Sequence, residues 1–189
     1  MLRHTLIAVS LLVAAAGGAS AQSLTGKLED PGLRRKVQLV YVEKVDAKVA
    51  APKAPAVITQ HGNVYLPHVL PVVVGTQVVF KSEDPELHNV FARGDKKVLF
   101  NDAVLPKMQS APKTFTEAGV VHLTCNVHKE MSAYVIVLQN NFFAVPEKDG
   151  TYTISGLPPG TYTVRVWGES LSPEQLQTTF QIKTTGGAS

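Results

Sequence analysis

From residue 37 to residue 182 the chain is a succession of short runs rich in Val, Ile, Thr, Tyr and Phe, most of them closed by Gly, Pro, Asn or Asp. No stretch sustains the 3.6-residue apolar spacing of an amphipathic helix, so the chain has to bury its apolar side chains through sheets. The runs predict strands over 37–42, 56–58, 70–74, 78–81, 89–92, 113–116, 120–124, 134–138, 143–145, 151–154, 162–167 and 179–182. The expected class is all-β, packed as sandwiches.

The first residues follow a different rule. Arg3 and His4 precede an apolar run from Leu6 to Ala16, and Ala19-Ser20-Ala21 follows. A short charged region, an apolar core and a small-residue site make a signal peptide over 1–21, cleaved after Ala21. The alternative, a membrane anchor, needs a longer apolar run with a charged stop behind it. The expectation is an exported protein, periplasmic or secreted, with no stable membrane insertion after cleavage. A formal charge of +3 gives no electrostatic case for a nucleic-acid partner. The segment 46–55 (DAKVAAPKAP) reads as a linker, and 184–189 (TTGGAS) as a disordered tail.

Composition shifts after Leu138. Asp149-Gly150 is a hairpin signal, and Leu157-Pro-Pro-Gly160 reads as a tight turn between two alternating runs. Tyr152 and Ile154 share one face of the first run; Tyr162, Val164 and Val166 share one face of the second. The two runs are expected to pair. A lone hairpin is marginal in water, so this piece needs a partner. The N-terminal piece supplies one, with a turn at Asp30-Pro31-Gly32 and an alternating strand through Val37, Leu39 and Tyr41. Residues 22–48 and 139–183 are therefore expected to form a small sandwich, with 55–138 inserted as a second domain. The alternative is a linear arrangement in which the first strand belongs to the central domain.

The chemistry concentrates in Cys125-Asn-Val-His128-Lys-Glu-Met131. Cys125 is the only cysteine. It cannot form an internal disulfide, although an oxidising compartment favours such pairs. Two readings remain: a buried small hydrophobe, or a metal thiolate. His128 stands three residues on and Met131 six, and His88 ends an upstream strand-like run. Two imidazoles, a thiolate and a weak thioether are the donor set of a blue-copper centre. Zinc is the rival metal, but a thioether is a poor ligand for it. A dinuclear copper centre needs a second cysteine. His122 has odd parity to Cys125 and is expected to face the other way. His61 and His68 flank Tyr65 and are expected to face solvent. A second, weak metal site involving His61, His68 or His122 stays open. Trp167 is expected in the core of the small sandwich.

Residues 56–138 resemble a cupredoxin. The carriers are Val74-Gly75-Thr-Gln-Val78-Val-Phe80, the His88-Asn89-Val90 triplet eight residues after that aromatic, the Ala118-Gly119 turn and the Cys-x2-His-x2-Met spacing of an amicyanin-like loop. The resemblance implies a Greek-key β-sandwich holding one type 1 copper on His88, Cys125, His128 and Met131. It implies that Asn89 holds the ligand loop through a hydrogen bond. Where the related loop carries prolines beside the histidine, this one has Asn126-Val127 and Lys129-Glu130, which leaves an apolar docking patch in doubt. A second resemblance, over 149–164, is to the carboxypeptidase regulatory, transthyretin-like sandwich. The pair of domains resembles exported proteins of the methylamine-utilisation or plastocyanin-like kind. Three functions follow as alternatives: a periplasmic carrier of single electrons between redox partner proteins, not an enzyme; a copper-binding and delivery protein without redox turnover; or a non-metal envelope module.

Overall fold

The structure, a computed structural model, describes residues 22–46 and 49–184. The expected leader over 1–21 and the last residues of the expected tail lie outside the described residues. The chain divides into two compact units: residues up to Asp46 together with those from Phe142 onward, and Ala47–Asn141. In chain order the elements begin with β1 (Gln22–Lys27), α1 (Pro31–Arg34) and β2 (Leu39–Val42). The larger unit holds β3 (Ala56–His61), β4 (Val64–Leu66), β5 (Val69–Val73), β6 (Gln77–Ser82) and β7 (His88–Arg93). It continues with β8 (Val98–Val104), β9 (Lys113–Thr114), β10 (Gly119–Thr124) and β11 (Ser132–Leu138). The chain then returns to the first unit with β12 (Phe143–Ala144), β13 (Thr151–Leu157), β14 (Gly160–Trp167), α2 (Pro173–Leu176) and β15 (Thr179–Thr184). The fold is all-β. Among the described residues no helix is long and apolar enough to cross a membrane.

In the larger unit one sheet has the order β5-β11-β10-β7-β8 and the other β4-β3-β6-β9. Both feed one apolar cluster, with Ile58, Tyr65 and Phe80 from the second sheet meeting Val90, Leu123 and Val135 from the first. Alternation decides which side chains enter. Val121 and Leu123 on β10, Ala133 and Val135 on β11, and Val90 and Ala92 on β7 all point inward. Carried to the strand ends, the same alternation delivers Cys125, Met131 and His88 to the same interior. Three of the four candidate ligands are thus the last rung of the core.

The hairpin between β3 and β4 closes on Gly62 and Asn63, both with φ near +60°. Two left-handed residues between paired strands make the tight turn whose twist matches the strands, and Gly and Asn tolerate that conformation. The run 56–58 was expected as a strand and is the first half of β3; its hairpin partner β4, and β8 with its central Asn101-Asp102, were not expected from the sequence.

In the smaller unit β1 pairs β13, while β12, β2, β14 and β15 form a second sheet. Their apolar cluster includes Leu24, Val40, Ile154 and Val164. Three expectations are corrected here. The runs on either side of Leu157-Pro-Pro-Gly160 do not pair: β13 and β14 lie in different sheets, and their inward faces meet across the cluster. Asp30-Pro31-Gly32 opens the short helix α1 instead of a turn, because Asp30 caps it by accepting the Leu33 N–H at 2.6 Å and Pro suits the first helical position. Thr184, placed in the tail, ends β15; it is buried, and its hydroxyl accepts the Gly160 N–H at 2.9 Å. Trp167 is buried beside its register partner Leu39, but neither belongs to the cluster.

Candidate metal centre

β10 runs antiparallel to β7, with His122 opposite Arg93, Leu123 opposite Ala92 and Thr124 opposite Phe91. Two residues further in this register, Asn126 faces Asn89. The start of β7 and the loop leaving β10 are therefore neighbours. β11 returns antiparallel to β10, so the loop 125–131 has to close over the same end of the sandwich. The Met131 N–H donates to the His128 carbonyl at 3.1 Å and tightens that closure.

His88, Cys125 and His128 each offer one ligand atom, and those atoms lie within 4.8 Å of one another. Among the described residues no other such group of His, Cys, Asp or Glu side chains occurs. The Nδ1 atoms of His88 and His128 stand 3.1 Å apart. Two nitrogens bound at about 2.0–2.1 Å to one tetrahedral ion stand about 3.3 Å apart, so the pair has the spacing one ion requires. His88 is fully buried, Cys125 nearly so, and His128 half-buried. Met131 is fully buried in the same cluster as Cys125. Lys129 and Glu130, between His128 and Met131, are exposed. The donor set and its spacing fit a copper ion.

Asn89 is bonded to both strands beside the site. Its Oδ1 accepts the backbone N–H of Asn126, the residue after Cys125. Its Nδ2 donates to Asn101 Oδ1 at 2.6 Å, which fixes the amide in that orientation. Tyr65 braces the same strands from the other sheet. Its hydroxyl lies 2.7 Å from the Asn89 carbonyl and 3.1 Å from that of Thr124, so one phenol spans the residues next to two candidate ligands. Burial, and then the proximity of Cys125, push the Tyr65 phenol well above its usual pKa, against a smaller opposing effect of the Gln60 hydrogen bond.

Asp84 is the remaining component. Its carboxylate is buried, and its Oδ2 lies 2.8 Å from His88 Nε2. Burial raises its pKa, but hydrogen bonds from the Gly62 N–H, His88 and the Asn63 N–H outweigh that and hold the carboxyl below its usual range. Neither Asp84 nor Tyr65 was expected from the sequence. Asp84 sits among Glu83, Pro85 and Glu86, and nothing in that run separates a buried acid from its solvated neighbours.

The other described histidines, His61, His68 and His122, are not brought together with this group. His61 is exposed, with Nδ1 3.8 Å from Asp84 Oδ1. His68, expected to face solvent, is half-buried: its Nδ1 meets the Ser132 carbonyl at 2.9 Å and its ring stands edge-on to Tyr134. His122 lies stacked on Tyr134 at 4.7 Å, with Nε2 2.9 Å from Ser132 Oγ.

No family model matches the chain, and no curated protein matches it. Among solved structures it is similar to a purple cupredoxin from Nitrosopumilus maritimus, 26% identical over 43% of this chain and 98% of that one, with a TM-score of 0.39. It is also similar to amicyanin from Paracoccus versutus, 24% identical over 52% and 96% of the two chains, TM-score 0.41. A copper-containing nitrite reductase from Thermus scotoductus is 24% identical over 59% of this chain and 27% of that one, TM-score 0.43.

Proposed function

We propose that the chain is an exported type 1 copper protein that carries single electrons between redox partners in the periplasm, without being an enzyme. The observation that carries this reading is the convergence of His88, Cys125 and His128, with Cys125 the only cysteine of the chain and Met131 buried in the same cluster. Bound there, a copper ion would supply a one-electron couple.

The residues divide the remaining work. His88, Cys125 and Met131 are held by the core, which keeps the donor set from rearranging when the charge changes. Asn89 and Tyr65 tie the ligand strands together. His128 reaches toward the surface and gives the electron its shortest way out. Leu87 and Val127, the residues before His88 and His128, are exposed, as is Leu105, which follows the register partner of His88. Exposed apolar side chains flanking two of the candidate ligands, with the exposed Lys129 and Glu130 on the same loop, suit a partner that docks briefly and leaves.

The test is copper reconstitution of the chain from residue 22. An intense visible thiolate-to-copper band with reversible one-electron reduction supports the carrier. A colourless Cu(I) form that releases its metal readily supports delivery instead. If Cys125→Ala left metal binding and redox behaviour unchanged, both readings would fall and the envelope module would stand.

A further inference from the structure

An imidazole has two nitrogens, and the hydrogen bond made by one settles what the other presents. At His88 the Nε2 side is occupied by Asp84 at 2.8 Å, and the Nδ1 side faces His128. A carboxylate accepts only, so a neutral His88 bonded to it carries its proton on Nε2 and presents a lone pair at Nδ1.

Asp84 is itself held. The two amides of the left-handed turn reach its two oxygens, Gly62 N to Oδ1 at 2.7 Å and Asn63 N to Oδ2 at 3.3 Å. Its own N–H donates to Ser82 Oγ at 3.3 Å. Among the described residues no Lys or Arg bridges to it. The exposed ring of His61 lies 3.8 Å from the carboxylate, and Glu83 reaches that same ring at 4.0 Å. The buried carboxylate is thus held by two backbone amides and turned toward the His88 ring, so it fixes that ring through its Nε2 side.

We propose that Asp84 is the positioning residue of the metal site. Clamped by the Gly62–Asn63 turn, its carboxylate orients His88 so that Nδ1 faces the ligand group, and makes that nitrogen a stronger donor, which favours Cu(II) over Cu(I). This rests on the copper reading above. The link to the second sheet is direct: the turn that joins β3 and β4 controls a ligand on β7. A carboxylate hydrogen-bonded to a ligand histidine raises the basicity of the ring. Its negative charge in a buried setting also acts at close range on the extra charge of the oxidised ion.

Two measurements test this. In the metal-free protein, nitrogen NMR of His88 is expected to show the proton on Nε2; a proton on Nδ1 overturns the proposal without any copper being involved. In the copper-loaded protein, Asp84→Asn keeps an acceptor for Nε2–H and removes the charge. It is expected to retain the thiolate band while the preference for Cu(II) over Cu(I) falls tenfold or more, an upward shift in reduction potential of at least about 59 mV for one electron. A lower melting temperature with an unchanged potential makes Asp84 a packing residue and overturns the proposal. If Asp84→Asn does not fold, the tautomer in the unsubstituted protein decides alone. A wild type that gives no thiolate-to-copper band overturns the copper reading itself, and is told apart from a failure of Asp84 because it shows before any substitution.

Discussion

The two units are both β structures built around one apolar cluster, but they treat buried polarity differently. Among the described residues every buried polar or charged side chain except Thr184 belongs to the larger unit. Five of them, Gln60, Ser82, Asp84, His88 and Asn89, gather around the ligand end and bond largely to one another or to nearby backbone. The smaller unit fills its core with Leu, Val, Ile, Phe and Tyr. Tyrosine shows the contrast most directly. Tyr65 reaches two carbonyls beside the candidate ligands His88 and Cys125, whereas the buried Tyr152 hydroxyl has no partner among the described residues. A phenol left unpartnered marks a side chain kept for its bulk. A phenol bonded to the backbone of two ligand strands marks one kept for position.

Substitutions that respect this division should separate the units. Ile154→Ala, in the core of the smaller unit, is expected to cost about 2–5 kcal/mol of stability while leaving the copper spectrum unchanged. His88→Ala should do the reverse and abolish the visible band. Urea melts read beside the spectra of both variants check this, and a spectrum altered by Ile154→Ala would show that the small core shapes the metal site. Next in size is Asn89→Ala, which frees the Asn126 N–H and with it the loop. Outer hydrogen bonds of this kind typically change metal affinity by about 10–100-fold. Competition against a copper chelator reads that loss directly, and an affinity within about twofold of wild type would remove Asn89 from the site.

Much of the larger unit was legible because one rule of alternation governs both its core and its site. Val121, Leu123 and Cys125 share a parity, and so do Met131, Ala133 and Val135, so the strands that a sequence reveals also aim the candidate ligands. What escaped depended on partners far away in the chain. β8 was hidden because Asn101 and Asp102 look like a turn, yet they pair with Phe91 and Val90 in mid-strand. β13 and β14 were expected to pair because a short Pro-rich connection resembles a hairpin. That connection instead carries the chain from one sheet to the other, and β13 finds its partner in β1, more than a hundred residues upstream. The hold on Asp84 depends on two amides at a turn 22 and 21 residues earlier. No local pattern encodes such a meeting.

The two tyrosines carry the finest test. Tyr65→Phe leaves the Asn89 and Thr124 carbonyls short of a donor and is expected to cost about 1–3 kcal/mol; Tyr152→Phe removes only an unpartnered hydroxyl and should be neutral or slightly stabilising. Alkaline titration sharpens the difference. Burial pushes the Tyr152 phenol up from an ordinary value of 10.0 to about 12. The folded chain then keeps a proton that the unfolded chain gives up, so the associated stability is complete below about pH 10 and drains away as the pH rises toward 12. In Tyr152→Phe this share of the alkaline loss disappears, while the share due to Tyr65 remains. Urea midpoints between about pH 9 and 12 for the two proteins measure it. Curves that stay parallel across that range would mean that Tyr152 is far wetter than its place in the core implies.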